Sequence, residues 1–487
     1  MIEEILYGGV TCEPRTLVSI QSVSLGGLTA KYLQGLNYFE ERNFYLLDLL
    51  RNPNCFCVLV LSGDIDKGFH EYAVGEAVRA CGLNASDLAQ RLRTLLVPTD
   101  GRSSLSEVLL RSPHALKSLR SLLQDCPNPT LDFWAVSELE IELSKALEIP
   151  HLGLTQDLLS VDSKSNGRAI FKKLGIRLPK GVDGISSAEQ ARSAVAEIAM
   201  QSNASAFLIK LNCEEAGNGI ARISRSDMSL PLPEFIAALE VSKNIPVEAF
   251  VDQISEAGAV VEEFIEAPVT SFPSVKMHIS PDGKVTNLAT HDQVLNGMAY
   301  AGSRFPANSE YRNELIKHGH LIGAYLSEEG VRGMVSADFM ATRPSTTSSW
   351  SLWGLEVNAR KGATTHPYFW TRCLADASYD EGTGELSSNA GPVRYRSSEY
   401  IQADGLAEVS ASELIRAVRD AGLAYDPLTR SGAVVHMATC LQRFSKFGAT
   451  FIGGSDAEVD ELHARTTRLA QKLALKKRDL SRISPPY

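Results

Sequence analysis

The first 150 residues alternate short apolar runs with helical patterns, and this alternation constrains the fold more than any other feature. Apolar runs at 55–63, 93–100 and 131–137 predict three buried strands, and an amphipathic stretch follows each of them. Because strands separated by helices form parallel sheets, a parallel α/β domain is predicted here. The helical pattern SKSNGRAIFKKLG then ends at a glycine, which indicates a domain boundary near residue 160.

The pattern becomes strand-rich between residues 205 and 360. The segment ISPDGKVT contains the Asp-Gly pair that favours a tight hairpin, so antiparallel strands are predicted in this part. A second break at 378–392 is rich in Gly, Ser and acidic residues. The predicted fold class is therefore α/β and α+β. The predicted parts are an N-terminal domain at 1–160, a two-lobed domain at 161–388 with lobes at 161–268 and 269–388, and a small C-terminal αβ domain at 389–487.

Charge and hydropathy exclude several classes of protein. The 48 basic residues are outnumbered by 58 acidic ones, so the net charge of −10 argues against nucleic-acid binding. No stretch approaches the roughly 20 apolar residues that span a bilayer, and the N-terminus is acidic where a signal peptide is basic. A cytoplasmic protein without a membrane partner is predicted. The eight cysteines lack the spacing of a zinc site, so reduced core thiols are expected.

A candidate anion site lies in FLIKLNCEEAGNGIARIS (207–224). Lys210 ends an apolar strand, and the turn Gly217-Asn218-Gly219 precedes the next one. A glycine-rich turn exposes backbone N–H groups to an anion, and a strand-borne lysine adds a fixed charge, which suits a triphosphate. An ordinary hairpin turn is the alternative. The segment is neither a Walker loop nor a dinucleotide fingerprint.

A candidate adenine site lies in GAVVEEFIEA (258–267). Adenine is commonly bound by backbone groups of a strand, by a side-chain acceptor for its amino group and by apolar faces. Glu262 would be that acceptor, with Phe264 and Ile265 beside it. A half-exposed strand with solvated acids is the alternative.

The third site comprises VSADFM and WGLEVNARKGATTHP. Period-two spacing places Glu356, Asn358 and Arg360 on one face of a strand, near Asp338. Carboxylate and amide oxygens are the ligands that magnesium prefers, and substrate phosphates complete its coordination. Arg360 would contact a transferring phosphoryl group. The alternative, a solvated strand face, is disfavoured because the strand is otherwise apolar.

Taken together, these motifs resemble the ATP-grasp superfamily, over about residues 45–475. The sequence is most similar to bacterial peptide ligases of the pheganomycin type. The motifs that carry the resemblance are Lys210-Leu211-Asn212, Val261-Glu262-Glu263, His291-Asp292-Gln293, the segment 302–307, residues 356–367 and the C-terminal tail.

The resemblance implies an ATP-grasp fold with an N-terminal pre-ATP-grasp domain. It also implies a ligase that phosphorylates a carboxylate with ATP, lets an amine attack the acyl phosphate and releases ADP, phosphate and an amide. A role in natural-product biosynthesis is implied in the same way. The implied cofactors are ATP and Mg²⁺, with Mn²⁺ as the alternative metal. The implied site consists of Lys164, Lys210, Gly217, Asn218 and Gly219 for phosphate, Glu262, Glu263, Phe264 and Ile265 for adenine, Asp338, Glu356 and Asn358 for the metal, and Arg360 with Lys276 for catalysis.

Two departures from the superfamily pattern bear on these roles. Glu214 and Glu215 place negative charge in the phosphate loop. Val269 occupies the position of a common ribose-binding carboxylate, for which Glu266 and Ser271 are the alternatives. Five further residues are candidates to line the acceptor site or to hold a substrate carboxylate: Lys276, Arg304, Arg332, Lys361 and His366. His291 and Asp292 are a candidate acid–base pair, with a structural role for one of them as the alternative.

Other functions remain open at this level. A nucleotide-binding module without catalysis would bind ATP without substrate-dependent turnover. A phosphotransferase would yield ADP and a stable phosphorylated product, and an adenylate-forming ligase would yield AMP and pyrophosphate. The expected partners are a small carboxylate and an amine or peptide. The sequence leaves the oligomeric state open, with a homodimer as one alternative.

Overall fold

The computed structural model describes residues 2–24, 27–32, 36–214 and 217–483. Four strands form an N-terminal sheet: β1 (Arg15–Ile20), β2 (Cys55–Ser62), β3 (Leu92–Val97) and β4 (Pro129–Phe133). All its pairs are parallel, and the strand order is β3-β2-β1-β4. The predicted parallel α/β arrangement is confirmed, and β1 is a central strand that the sequence analysis did not identify.

Helices and a long 3-10 helix (Leu36–Arg51) surround this sheet. Their starts follow local capping chemistry: the Asp66 side chain accepts a hydrogen bond from Phe69 N, and Ser137 forms a capping box with Glu140. The helices of this part of the chain are α1 (Ile2–Tyr7), α2 (Gly27–Tyr32), α3 (Lys67–Cys81), α4 (Ala85–Arg91), α5 (Leu105–Arg111), α6 (Pro113–Leu123) and α7 (Glu138–Leu147). Of these, α2 packs against the core of the smaller lobe and not against the sheet.

The smaller lobe is a four-stranded antiparallel sheet covered by helices. A 3-10 helix (Gln156–Asp162), in which the predicted boundary at 160/161 falls, precedes it. Its elements are α8 (Lys164–Lys173), β5 (Gly181–Ile185), α9 (Ala188–Gln201), β6 (Ala206–Leu211), β7 (Ile220–Ser224), a 3-10 turn (Arg225–Asp227), α10 (Leu232–Ala237), α11 (Val247–Ala257) and β8 (Ala259–Glu263). The strand order is β5-β8-β6-β7, with its core formed by residues such as Phe207, Ile209 and Val261.

The larger lobe and the C-terminal part share one eleven-stranded sheet. Its elements are β9 (Val269–Ser271), β10 (Pro273–Ile279), β11 (Val285–Asn296), β12 (Ala299–Phe305), α12 (Ser309–Glu328), β13 (Gly333–Arg343), β14 (Ser351–Asn358), α13 (Thr365–Ala375), β15 (Ser378–Asp380), β16 (Glu385–Ser388), β17 (Gly391–Gln402), a 3-10 turn (Leu406–Glu408), α14 (Ala411–Asp420), β18 (Gly432–His436), α15 (Cys440–Phe444), β19 (Lys446–Gly453) and α16 (Asp456–Ile483).

The main path of this sheet is β14-β13-β10-β11-β12-β17-β16-β15, and β19 pairs with β17 and β18. The predicted Asp-Gly hairpin connects the antiparallel strands β10 and β11. The predicted boundary at 388/389 falls between β16 and β17, which are paired strands. The C-terminal part therefore extends the sheet of the larger lobe rather than starting a separate one.

Alternation along β10 and β13 separates the core from the site. Val275, Met277, Val335 and Ala337 are buried in the core beneath α12, so the intervening residues point to the other face. That face carries Asp338 and looks toward the cleft between the lobes. None of the helices within the described ranges is long and apolar enough to cross a membrane.

Candidate active site

Two neighbouring strands bring the predicted metal ligands together. In the antiparallel register of β13 and β14, Asp338 lies opposite Glu356, and Asn358 lies opposite Ser336. Asn358 Nδ2 donates a hydrogen bond to Asp338 Oδ2 (3.0 Å), and Gln293 Nε2 donates one to Asp338 Oδ1 (2.7 Å). Two carboxylates and an amide form an oxygen-rich donor set, which fits a hard divalent cation. Gln293 had entered the sequence analysis only as part of a motif.

The two facing carboxyl groups differ in acidity. Burial raises the pKa of Asp338 to about 6, and the negative charge of Glu356 adds to this effect. Burial also raises the pKa of Glu356, but the charges of Lys164 and Arg360 outweigh it and leave that pKa below its ordinary value. A cation between the two carboxylates would relieve their mutual repulsion.

Lys164 begins α8 and reaches the carboxylate pair. Ser163 caps this helix by accepting a hydrogen bond from Asn166 N, which fixes the position of the first turn. Lys164 Nζ lies 2.5 Å from Glu356 Oε1 and donates to the carbonyl oxygen of Glu214 (3.1 Å). Lys164 therefore connects the predicted metal site to the predicted phosphate loop.

Lys210 and Glu262 belong to a buried ion cluster in the smaller lobe. Lys210 on β6 and Arg168 on α8 each form an ion pair with the Glu262 carboxylate on β8. The three side chains are 8%, 2% and 2% exposed, respectively. The structure thus uses both Glu262 oxygens within the protein, and the predicted contact of Glu262 with adenine stays a prediction.

The strand end after Glu262 has its own hydrogen bonds. Glu263 accepts hydrogen bonds from Lys180 N (2.9 Å) and Ser202 Oγ (2.5 Å), so its side chain ties neighbouring loops together. The Phe264 N–H donates to the Ala206 carbonyl (2.9 Å). The Phe264 N–H, one of the backbone groups predicted to bind adenine, is therefore already hydrogen-bonded within the protein. The Phe264 carbonyl and the backbone of Ile265 are left for that role.

The predicted phosphate loop follows β6 and turns sharply. Gly217 has a φ of +78°, a conformation that favours glycine. A side chain at Gly219 would have its Cβ 2.2 Å from the Cβ of Glu214, so only glycine fits there. Gly217, Asn218 and Gly219 all lie in the turn before β7, as predicted. Glu215 and Ala216 lie outside the described residues.

The Glu214 carboxylate binds the start of α2. It accepts hydrogen bonds from Leu28 N (2.7 Å), Thr29 N (2.9 Å) and Thr29 Oγ1 (2.7 Å), and the residue is 3% exposed. These contacts join the phosphate loop to a segment 186 residues earlier in the chain. The negative charge of Glu214 is therefore stabilised by N–H and O–H donors of the N-terminal part and is directed away from the cleft.

Arg360 is held in place by Asp162. Arg360 Nη1 forms an ion pair with Asp162 Oδ2, and Ala359 N donates to Asp162 Oδ1 (2.7 Å). Burial raises the pKa of Asp162, and the Arg360 charge opposes this effect. Asp162 ends the 3-10 helix before α8, so it orients the guanidinium from the segment that precedes the smaller lobe. Asp162 was not predictable from the sequence, because 198 residues separate it from Arg360.

Lys276 lies on the same sheet face as the carboxylates. It is two residues from Ser274, which is opposite Asp338 in the register of β10 and β13. Lys276 Nζ donates a hydrogen bond to Thr365 Oγ1 (2.9 Å). Burial lowers the pKa of Lys276 to about 8, against the attraction of Asp338, so the side chain is mostly charged at neutral pH.

Two family sequence models match parts of the chain. The family described as "IQCH-like, ATP-grasp" matches residues 236–362, which include β13 and β14. The family described as "PGM1 C-terminal domain" matches residues 413–466. The L-propargylglycine–L-glutamate ligase of Streptantibioticus cattleyicolor is 27% identical to the chain over 411 residues, which are 83% of this chain and 84% of that protein.

Solved structures share the fold at low identity. A biotin carboxylase ATP-analogue complex from Campylobacter jejuni has a TM-score of 0.57 and 12% identity, and the match covers 92% of this chain and 89% of that one. The biotin carboxylase domain of the Hydrogenobacter thermophilus 2-oxoglutarate carboxylase, solved with MgADP, has a TM-score of 0.55 and 12% identity, with 93% and 90% covered. The predicted resemblance to the ATP-grasp superfamily is supported by the ATP-grasp family model over residues 236–362 and by the shared fold. The predicted ATP-grasp fold and carboxylate–amine ligase class are confirmed.

Other residues weighed in the sequence are buried in the ATP-grasp core. His291 Nε2 lies 2.5 Å from the Tyr395 hydroxyl, whereas its neighbour Asp292 accepts a hydrogen bond from the Tyr311 hydroxyl (2.6 Å). The two side chains point to opposite faces of the sheet, so they do not form an acid–base pair. His366 is buried against His436, with their Nε2 atoms 3.3 Å apart.

The remaining cations have defined partners. Arg304 pairs with Asp460 of α16 (2.7 Å), away from the carboxylates of the ATP-grasp site. Lys361, directly after Arg360, lies 2.5 Å from Asp132 of β4 and is 4% exposed. Lys361 therefore connects the ATP-grasp lobe to the N-terminal sheet. Of the ribose candidates, Glu266 accepts a hydrogen bond from Ser205 Oγ (2.6 Å) and Ser271 from the Tyr311 hydroxyl (3.0 Å).

Proposed function

We propose that this ATP-grasp protein joins a carboxylic acid to an amine and converts ATP to ADP and phosphate. The observation that carries the proposal is the facing pair of Asp338 and Glu356, with Lys164 and Arg360 beside Glu356 and Lys276 on the same sheet face. Such a mixed site of carboxylates and cations suits phosphoryl transfer, in which negative charge spreads over several oxygens.

Asp338, Glu356 and Asn358 would hold Mg²⁺, with Mn²⁺ as the alternative. The metal, when bound, would neutralise charge on the phosphate oxygens. Lys164 lies between the carboxylates and the phosphate loop, where its charge would face a triphosphate. The turn Gly217–Gly219 would supply backbone N–H groups to the same phosphates. The adenine would lie against the backbone after β8, near Ile265.

The reaction comprises two bond exchanges. A carboxylate oxygen of the acid attacks the γ-phosphorus of ATP, and the bond from this phosphorus to the β-γ bridging oxygen breaks and releases ADP. The amine nitrogen then attacks the carbonyl carbon, the bond from this carbon to the phosphate oxygen breaks, and phosphate and a proton leave. The acyl phosphate reacts readily with water, so a closed cleft would protect it.

Arg360 and Lys276 have the properties that the first exchange requires. Arg360 is permanently charged and is oriented by Asp162, so its donors are fixed before substrate binds. Lys276 keeps most of its positive charge at neutral pH, although burial lowers its pKa to about 8. Both cations would stabilise negative charge that develops on the transferred phosphoryl group.

The name of the curated relative supports amino acids as the substrate class. That protein is named for L-propargylglycine and L-glutamate. We therefore infer that one or both substrates of this chain are amino acids or short peptides, and that a cytoplasmic supply of ATP serves the reaction. A nucleotide-binding module and a phosphotransferase are the competing functions.

The deciding experiment combines ATP and Mg²⁺ with pools of amino acids and short peptides. ADP release, product masses and hydroxamate formation with added hydroxylamine are followed together. Substrate-dependent ADP release with a dehydrated adduct is expected, together with its loss in Glu356→Gln but not in the exposed control Glu256→Gln. Full turnover of Glu356→Gln would contradict the site. ATP binding without turnover would favour the binding module, and a stable phosphorylated product without an amide would favour the phosphotransferase.

A further inference from the structure

A cavity of about 280 Å³ lies beside Arg360, between the N-terminal sheet and the large sheet. One wall is the chain at the end of β4, residues 132–136. The opposite wall comprises the end of β10, the start of β13 and residues 359–361. The order β3-β2-β1-β4 reverses direction between β1 and β4. Open parallel sheets bind ligands at the carboxyl ends of strands at such a reversal. The cavity lies at the carboxyl end of β4, one of the two strands that flank this reversal.

The cavity continues the sheet face that carries the catalytic groups. In the register of β10 and β13, Lys276 lies opposite Ser336 and His278 lies opposite Met334. His278 and Met334 line the cavity. Met334 is four residues from Asp338 along β13, which corresponds to about 13 Å. A substrate whose reacting carboxylate lies near Lys276 and Arg360 can therefore extend along the sheet into the cavity.

Arg332 lines the same cavity and has no carboxylate partner among the residues that the structure describes. Its Nε donates to the Pro281 carbonyl (3.2 Å), and its Nη1 donates to the carbonyls of Ser327 (3.1 Å) and Val331 (2.7 Å). Among the contacts of the described residues, its Nη2 donates no hydrogen bond, whereas Arg360 and Lys361 each pair with an aspartate. The guanidinium is thus fixed in place and retains donors for an anionic group.

The other residues that line the cavity limit which part of a ligand can lie between Arg332 and Arg360. Phe133, Trp134, Val136 and Met334 contribute apolar or largely apolar side chains. Burial and the charge of Lys361 lower the pKa of His278 to about 4, so this imidazole is neutral at pH 7. The volume lies at the lower end of ligand pockets, which suits a molecule of amino-acid size.

We propose that this cavity binds the acid substrate, and that this acid carries a second carboxylate, which Arg332 holds. The substrate class is then short dicarboxylic acids and dicarboxylic amino acids, activated at the carboxylate nearer Arg360. This inference rests on the proposed ligase function. Arg332 selects the acid and anchors it, while its hydrogen bonds to three carbonyls keep the guanidinium at the cavity wall.

The test compares acids that differ in one charge. ADP release and hydroxamate formation are measured with L-glutamate, L-aspartate, glutarate and succinate, and with glutaramate and succinamate, in which one carboxylate is an amide. At least one dicarboxylate should stimulate ADP release. Its monoamide should require about 10-fold higher concentration or more, as expected for loss of a charged hydrogen bond.

Two variants and a matched control isolate Arg332. Arg332→Gln should raise the KM for the dicarboxylate about 10-fold or more while the KM for ATP is unchanged, and Arg332→Lys should restore part of the affinity. Arg91→Gln should not change either KM. Arg91 is an appropriate control because it also donates to three backbone carbonyls, of Leu50, Asn52 and Cys55, but lies outside the cavity.

The outcomes separate this inference from the proposed function. Equal stimulation by a dicarboxylate and its monoamide, or an unchanged KM in Arg332→Gln, would overturn the inference and leave ligation intact. Equilibrium dialysis with radiolabelled L-glutamate and glutarate measures binding without turnover. Saturable binding that Arg332→Gln abolishes, without ADP release by any acid, would support the cavity and contradict ligation. Absence of both binding and turnover with the dicarboxylates would overturn the inference.

Discussion

Breaking the buried ion pair between Lys361 and Asp132 is expected to destabilise the protein far more than replacing both residues together. Lys361 Nζ lies 2.5 Å from Asp132 Oδ2 and 3.2 Å from Gln21 Oε1. The two charged side chains are 4% and 3% exposed. This pair joins the N-terminal sheet to the segment that carries Arg360.

The magnitude follows from the burial of both charged side chains. Asp132→Asn leaves the Lys361 ammonium buried without its counter-charge, and Lys361→Met leaves the Asp132 carboxylate in the same position. Either loss is expected to cost about 3–5 kcal/mol of unfolding free energy. Burial already lowers the pKa of Lys361 against the attraction of Asp132, so Asp132→Asn would lower it further. The double variant Asp132→Leu/Lys361→Met removes both desolvation penalties and should lie within about 1–2 kcal/mol of the parent protein.

Urea denaturation followed by tryptophan fluorescence measures these differences, since Trp134 lies two residues from Asp132. Glu461→Gln is the control, because the Glu461–Arg468 pair is 60% and 57% exposed and should contribute less than about 1 kcal/mol. The reasoning would be refuted if both single variants unfolded like the control. A double variant as unstable as the sum of the single variants would refute it as well.

Three further outcomes are expected. Glu214→Ala removes the acceptor for the α2 N–H groups, so it should raise the KM for ATP several-fold with kcat little changed. Thr29→Val should raise this KM by a smaller factor. An unchanged KM for ATP in steady-state ADP release by Glu214→Ala would show that the contact is dispensable. Lys276→Met should abolish ADP release. It should also stabilise the free protein at pH 7 by up to about 3 kcal/mol, because burial lowers the Lys276 pKa from 10.5 to about 8. A lower unfolding free energy of this variant in urea denaturation would contradict this reasoning. Burial raises the pKa of Glu40 and of Glu41 to about 8, so the folded protein holds more protons than the unfolded chain between about pH 4.5 and 8. The unfolding free energy should therefore fall as pH rises through this window, and the double variant Glu40→Gln/Glu41→Gln should show a shallower fall in urea denaturation.

The strands that carry the predicted metal ligands were predictable because their signal is local. Glu356 and Asn358 alternate with apolar residues along one strand, and this period of two determines which side chains share a face. Asp338 has the same property on β13. The short strand β1 lacks such a local signal. Its six residues are stabilised by pairing with the neighbouring strands β2 and β4. It was therefore missed.

Side-chain partners were less predictable than strands. Glu262 has the residue type and position expected of an adenine acceptor, yet Lys210 and Arg168 share its carboxylate. The phosphate loop carries an acid whose charge is directed toward α2 instead of the cleft. In both cases the residue type alone does not determine the role, because the contacts depend on segments that are remote in the sequence.

The sequence by itself determined the alternation of elements, the strand faces and the order of motifs, because these depend on hydrophobic periodicity and on residue types within a few positions. Only the tertiary structure decided which charges meet. The Arg360–Asp162 pair, the Lys361–Asp132 pair and the contact of Glu214 with Thr29 join residues 198, 229 and 185 positions apart. A buried charge needs a partner at short range, and packing of the lobes alone determines which partner is within reach.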